Sequence, residues 1–135
     1  MNLIEFSQDI ADAEAPVPLP PGTYEATCVG AVPSISKSSG NPTLPLQYKI
    51  TEDQFPADFD AGGQQELTFT FNRLTTRDTA QDRFRMKNMC IAHGVPMSNR
   101  IDPNDFVGQR VRLEIVTGLD LEGNPRADIS KVLPV

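Results

Sequence analysis

The chain has 135 residues, enough for one hydrophobic core and too few for two comfortable domains, and its 39% apolar content with 12 prolines predicts that part of it is irregular. No window approaches the roughly 18 consecutive apolar residues of a membrane span, and Cys28 and Cys90, without a CxxC pair or a His cluster, exclude a disulfide framework and a structural zinc site. The formal net charge of −6 argues against nucleic acid only as a sum: residues 1–15 hold Glu5, Asp9, Asp12 and Glu14 and no base, whereas residues 73–100 hold six cations against Asp78 and Asp82.

Residues 1–22 read as an arm, acidic at first and then running through Ala15-Pro-Val-Pro-Leu-Pro-Pro-Gly22, where repeated prolines fix φ and remove donors. Acids stand at its start where a signal peptide carries lysines, so the chain is expected to stay in the cytoplasm of the cell that makes it, away from membranes. Residues 23–135 form the predicted domain. Tyr24, Ala26 and Cys28 alternate with Thr23, Glu25 and Thr27 in a first strand that Pro33 ends. Ser34 to Thr43 is turn chemistry throughout and predicts a flexible basic loop carrying Lys37.

Leu44, Leu46, Tyr48 and Ile50 recur with period two around Gln47 and Lys49, giving a second strand with one apolar face. An acidic loop over 52–63 leads to the clearest strand, Glu66 to Asn72, expected to pair with the second. Between Thr79 and His93 the period changes to helical. Thr79 can cap with Asp82 at the third helical position, Ala80, Phe84 and Ile91 fall on or near one stripe expected to face the core, and Gly94 with Pro96 supplies the stop. Val111, Leu113 and Ile115 alternate with Arg110, Arg112 and Glu114 in a fourth strand. The turn Glu122-Gly-Asn124 then leads to a fifth, in which Ala127 and Ile129 alternate with Arg126, Asp128 and Ser130.

Five strands with one helix between the third and fourth is the element order of an OB-fold. The expected fold is therefore a mostly β, five-stranded OB-fold-like Greek-key barrel, a shape that binds oligonucleotides across strands two and three and the adjoining loops. Pro21-Gly-Thr-Tyr24, Ser36-Lys-Ser-Ser-Gly-Asn41 before an alternating strand, a helix ending in His93-Gly94, and Ile101-Asp with Phe106-Val-Gly108 together resemble the small phage-encoded single-stranded DNA-binding proteins. These proteins were long catalogued as a domain of unknown function, and the resemblance covers roughly residues 20–133. It implies an OB-fold that coats single-stranded DNA during phage replication or recombination, in the host cytoplasm and alongside replication and recombination proteins of phage or host. The sequence departs from many such proteins in ending at Ser130-Lys-Val-Leu-Pro-Val135 rather than in an acidic tail.

Single strands require a cationic groove along the phosphates and π-faces for the bases. By the period-two rule Gln47, Lys49, Thr68, Thr70, Asn72 and Arg112 share the face opposite the apolar register. Lys37, Lys49, Arg73, Arg77, Arg112 and Arg126 are the expected DNA contacts, with Tyr48 and Phe71 as the candidate stacking residues, although their apolar registers favour the core for both rings. Arg83, Arg85 and Lys87 read as the wet side of the helix and His93 as a helix-end group. Nothing here reads as an enzyme: Ser38 and Ser39 lack a GxSxG elbow, Gly62-Gly63 falls short of a phosphate loop, and Asp58, Asp60 and Glu66 match no EF-hand, so neither metal nor cofactor is expected. The rival expectation is a structural or assembly protein of a virus particle, whose arm reaches across a neighbour in a homo-oligomer.

Overall fold

A computed structural model describes residues 2–14 and 16–135; Met1, and Ala15 at the head of the proline run, lie outside the described residues. Seven strands and one α-helix follow in chain order: β1 (Gly22–Ala31), β2 (Ser34–Ile35), β3 (Pro42–Thr43), β4 (Leu46–Thr51), β5 (Glu66–Phe71), α1 (Ala80–His93), β6 (Arg110–Leu119) and β7 (Pro125–Leu133). The five long strands form one antiparallel sheet in the order β5-β4-β1-β6-β7. The protein is thus mostly β, a curled half-barrel with one helix.

The curl follows from the pairing. Residues of β1 pair with β4 on one side, Cys28 opposite Tyr48, and with β6 on the other, Tyr24 opposite Leu113. The register slips once between Cys28 and Gly30, and once between Glu114 and Ile115 where β6 meets β7. An extra residue in one strand of an antiparallel pair bends it and increases its twist; here the extra residues are Val29 in the central strand β1 and Ser130 in the edge strand β7. Gly30 sits where the side chain of Gln47 crosses the sheet: a Cβ there would stand 2.9 Å from Gln47 Oε1.

Inside the curl the expected alternation holds. Tyr24, Ala26 and Cys28 of β1, Leu46, Tyr48 and Ile50 of β4, and Val111, Leu113 and Ile115 of β6 are buried, and Leu19, Leu44, Leu74 and Phe106 join them. A fully buried Leu or Ile contributes about 1.5–3 kcal/mol, so this cluster dominates the stability. Leu67, Phe69 and Phe71 of β5 are only half-buried, because β5 is an edge strand with a partner on one side. Both cysteines are buried and free, and burial pushes both thiols up.

Three expectations are corrected. The 34–43 segment is not irregular throughout: β2 and β3 pair as a short hairpin, and Leu44 N–H donates to Leu74 O while Thr76 N–H donates to Pro42 O, each across 2.9 Å. The arm is not wholly outside the core, since Leu19 is buried and the Tyr24 hydroxyl donates to Pro20 O at 2.7 Å. Its first part carries one 3-10 turn, Ile10–Asp12, capped by Asp9.

The third correction concerns α1. Its ends are as expected, with the Thr79 side chain accepting from Asp82 N–H and Gly94 in the left-handed region at φ 68° closing the C-terminus. Phe84 and Ile91 do not face the core: they are 61% and 49% exposed, whereas Asp82, Met89, Cys90, Ala92 and His93 are buried; Arg83, Arg85 and Lys87 are exposed, as expected. The inward polar groups have partners, which removes the cost of burying them. Asp82 takes Arg77 through both its backbone and its guanidinium; His93 takes Tyr48 and the Met89 carbonyl.

Candidate nucleic-acid interface

The outer face of the sheet is polar, as its period-two pattern requires. One row across it runs Thr68, Lys49, Thr27 and Arg110 on β5, β4, β1 and β6; the next row brings Glu25 opposite Arg112. Its charges are largely paired. Lys49 Nζ lies 3.3 Å from Glu66 and Arg110 3.1 Å from Glu25, both pairs exposed enough for water to weaken them. Arg110 was not among the expected contacts, although the alternation that placed Arg112 outward places it there too.

The remaining expected residues fall into three groups. Lys37, at the tip of the β2–β3 hairpin, and Arg112 are exposed and carry no ion pair among the described residues. Arg126 is exposed but lies 2.9 Å from Asp128 of its own strand. Arg73 and Arg77 hold the fold together. The Arg73 guanidinium sits 4.9 Å above the Phe71 ring and donates to Ile129 O at 2.7 Å and Ser130 O at 3.2 Å, bridging the open seam between β5 and β7. Arg77 meets Asp82, and hydrogen bonding to its guanidinium holds that carboxyl well below the usual carboxylate range.

The aromatic expectations divide as well. Tyr48 is completely buried, so its ring presents no face to a base; burial pushes its hydroxyl pKa far above the ordinary value. Phe71 is half-buried with one face under Arg73. The rings that do border a groove are Phe69 and Phe59. A cleft of about 730 Å³ runs between β5 and the start of β7, lined by Leu67, Phe69, Phe59 and Arg126, with Pro16–Leu19 of the arm along one wall. Phe59 packs edge-on against Phe55 at 5.3 Å inside a loop read from sequence as merely acidic and solvated. Two phenylalanines four residues apart in such a loop were the available signal.

A larger groove of about 850 Å³ runs along α1 and the 97–103 segment, bordered by Arg77 but by none of the other expected contacts. Among the described residues no helix is long and apolar enough to cross a membrane. No protein-family model and no curated protein matches this sequence.

Proposed function

We propose that this chain is an OB-like single-stranded DNA-binding protein of phage type, with little sequence preference, acting in replication or recombination in the host cytoplasm. The observation that carries the reading is the cleft between β5 and β7, which Arg126 lines together with the half-buried rings of Phe59 and Phe69. A cation beside π-faces in a concave site is the combination that unstacked bases and their phosphates need. The strand order is consistent with it: β6 returns after the helix to lie beside β1 in a curled antiparallel sheet, and the hairpins that flank the sheet carry Lys37 and Arg126.

Lys37, Arg112 and Arg126 are the residues placed on phosphate, and Lys49 and Arg110 join them by exchanging a carboxylate for a phosphate oxygen. Little base-edge readout is expected from an interface of this composition. The test is fluorescence anisotropy of a labelled single strand of about 30 nucleotides, titrated at low and high salt with the matching duplex as control. Salt-sensitive binding to the single strand alone supports the reading; no binding at low salt overturns it. A particle-assembly role is the second reading, favoured by the exposed apolar side chains of the arm, and it gains if the DNA titration is flat.

A further inference from the structure

The arm is apolar and acidic at once. Leu3, Ile4, Phe6 and Ile10 are each at least 68% exposed, interleaved with Glu5, Asp9, Asp12 and Glu14 and with no base. Isolated exposed apolar residues are ordinary, but four within one short segment that buries none of them are what a partner surface covers. The groove along α1 has the complementary character. It is lined by Met86, Cys90, Met97 and Ile101, and by Arg77, Arg83 and Lys87 against Asp78 and Asp82; Arg83 pairs with Asp78 in solvent, a weak pair that an incoming carboxylate can replace, and Lys87 has no ion pair among the described residues. The segment that supplies helix and groove, residues 73–100, has six cations against two acids, whereas the rest of the chain is strongly acidic. Methionine-rich grooves adapt to the side chains they receive.

We propose that residues 2–14 of one copy seat in the α1 groove of a second copy, apolar side chains on the methionine floor and carboxylates on Arg83 and Lys87. The buried Leu19 anchors the arm at its base. Fully extended, residues 2–18 span about 55 Å. A domain of this size has a radius of gyration of about 13 Å, so the arm reaches well beyond its own domain. Within a single copy both the arm's apolar residues and the groove stay uncovered, and reciprocal exchange covers them on both copies at once. The Phe84 and Ile91 face beside the groove widens the apolar surface available to the incoming arm.

The test uses the full chain without nucleic acid, so its outcome is independent of the DNA titration. Mass is followed by sedimentation across a concentration series for three proteins. They are the natural chain, a groove-reversed variant (Arg83→Glu with Lys87→Glu) and an arm-reversed variant (Glu5→Lys with Asp12→Lys). All four positions are exposed, and circular dichroism with a melting curve checks that each variant folds. The natural chain is expected to self-associate, and each variant to do so at least about tenfold more weakly because acid then faces acid or base faces base. Mixing the two variants restores opposite charges between the reversed positions of unlike copies and is expected to recover much of the association. A Phe6→Asp chain is expected to weaken it without changing the sign of any partner. A natural chain that stays monomeric, variants that associate as it does, or a mixture that gains nothing would each overturn the proposal; the last outcome with arm and groove still protected from exchange would mean that the arm folds back on its own copy.

Discussion

The Tyr48 hydroxyl donates to His93 Nε2 across 2.8 Å in the core, joining the middle of β4 to the last turn of α1. The direction follows from the other ring nitrogen. His93 Nδ1 lies 2.7 Å from the Met89 carbonyl, which only accepts, so Nδ1 carries the hydrogen and Nε2 of the neutral ring is left to accept. The ring also stands edge-on to Phe106 at 4.9 Å, enclosed by apolar neighbours that disfavour its charge.

Between pH 8 and 5.5, above the range in which carboxylates such as Asp82 titrate, the pH dependence of stability runs through a single imidazole, since the chain has one histidine. Burial lowers the pKa of His93 in the fold below its ordinary value of 6.5, while the unfolded chain keeps that value. Below pH 6.5 the unfolded state binds a proton that the folded state refuses. The stabilisation present above pH 6.5 is thus lost as pH falls toward the folded pKa, at no more than about 1.4 kcal/mol per pH unit. Urea unfolding at pH 8, 6.5 and 5.5 should show this decline, and a His93→Gln chain should lose it; equal slopes in both would count against it.

Replacing Tyr48 with Phe keeps the ring and removes the donor. His93 Nε2 is then buried without a partner, at a cost of about 1–3 kcal/mol. Equilibrium unfolding measures it, and a loss well under 0.5 kcal/mol, roughly the floor for a hydrogen bond, would mean the bond is not made.

Arg77 and Arg83 both face aspartates, with opposite expected consequences. Arg77→Ala strips the partner from Asp82, which is almost wholly buried, and should lower the melting temperature markedly. Arg83→Ala removes a pair with Asp78 that lies in solvent and should leave it almost unchanged. Thermal melts of the two variants decide, and similar shifts in both would contradict the burial of Asp82.

Gly118 on β6 lies under the carboxylate of Asp128, and a Cβ there would overlap it. Gly118→Ala should push the Asp128 carboxylate aside and break its exposed pair with Arg126, at a cost of no more than about 0.5 kcal/mol. A double-mutant cycle with Asp128→Ala checks this, because the two losses should not add.

Among the proposed DNA contacts, Lys37 and Arg112 give the cleanest variants because neither makes an ion pair among the described residues. Lys37→Ala or Arg112→Ala should weaken single-strand binding similarly for all sequences and lower the slope of log K against log salt by about 0.7 each. An unchanged slope with full affinity would remove that residue from the interface. Arg73→Ala should instead show first as a lower melting temperature, through the seam it bridges.

The strands were legible because period-two alternation needs no knowledge of partners: Val111, Leu113 and Ile115 declare their face by themselves, and so do Leu46, Tyr48 and Ile50. The helix misled for the complementary reason. Counting apolar residues selects Phe84 and Ile91, and only the folded chain brings Arg77 to Asp82 and Tyr48 to His93, which lets these two polar side chains of the helix sit inward with Met89 and Cys90. The cations show the same division. Sequence gives the sign of Lys49, but its pair with Glu66 exists only once β4 and β5 adopt their register, with Lys49 opposite Thr68 and Thr51 opposite Glu66. Phe59 was hidden by acidic neighbours, and its position beside Phe69 depends on how the loop over 52–63 folds back.

The central place of β1 has a consequence for synthesis. Its partner β4 follows at once, but the residue that pairs with Thr27 on the other side, Arg110, lies 83 positions later. At roughly 5–20 residues per second, a nascent chain carries an unpaired β1 edge for on the order of ten seconds before β6 leaves the ribosome. During that interval Thr23, Glu25 and Thr27 line the outer side of a strand open to other nascent chains, and Glu25 is the one charge there that discourages the wrong partner.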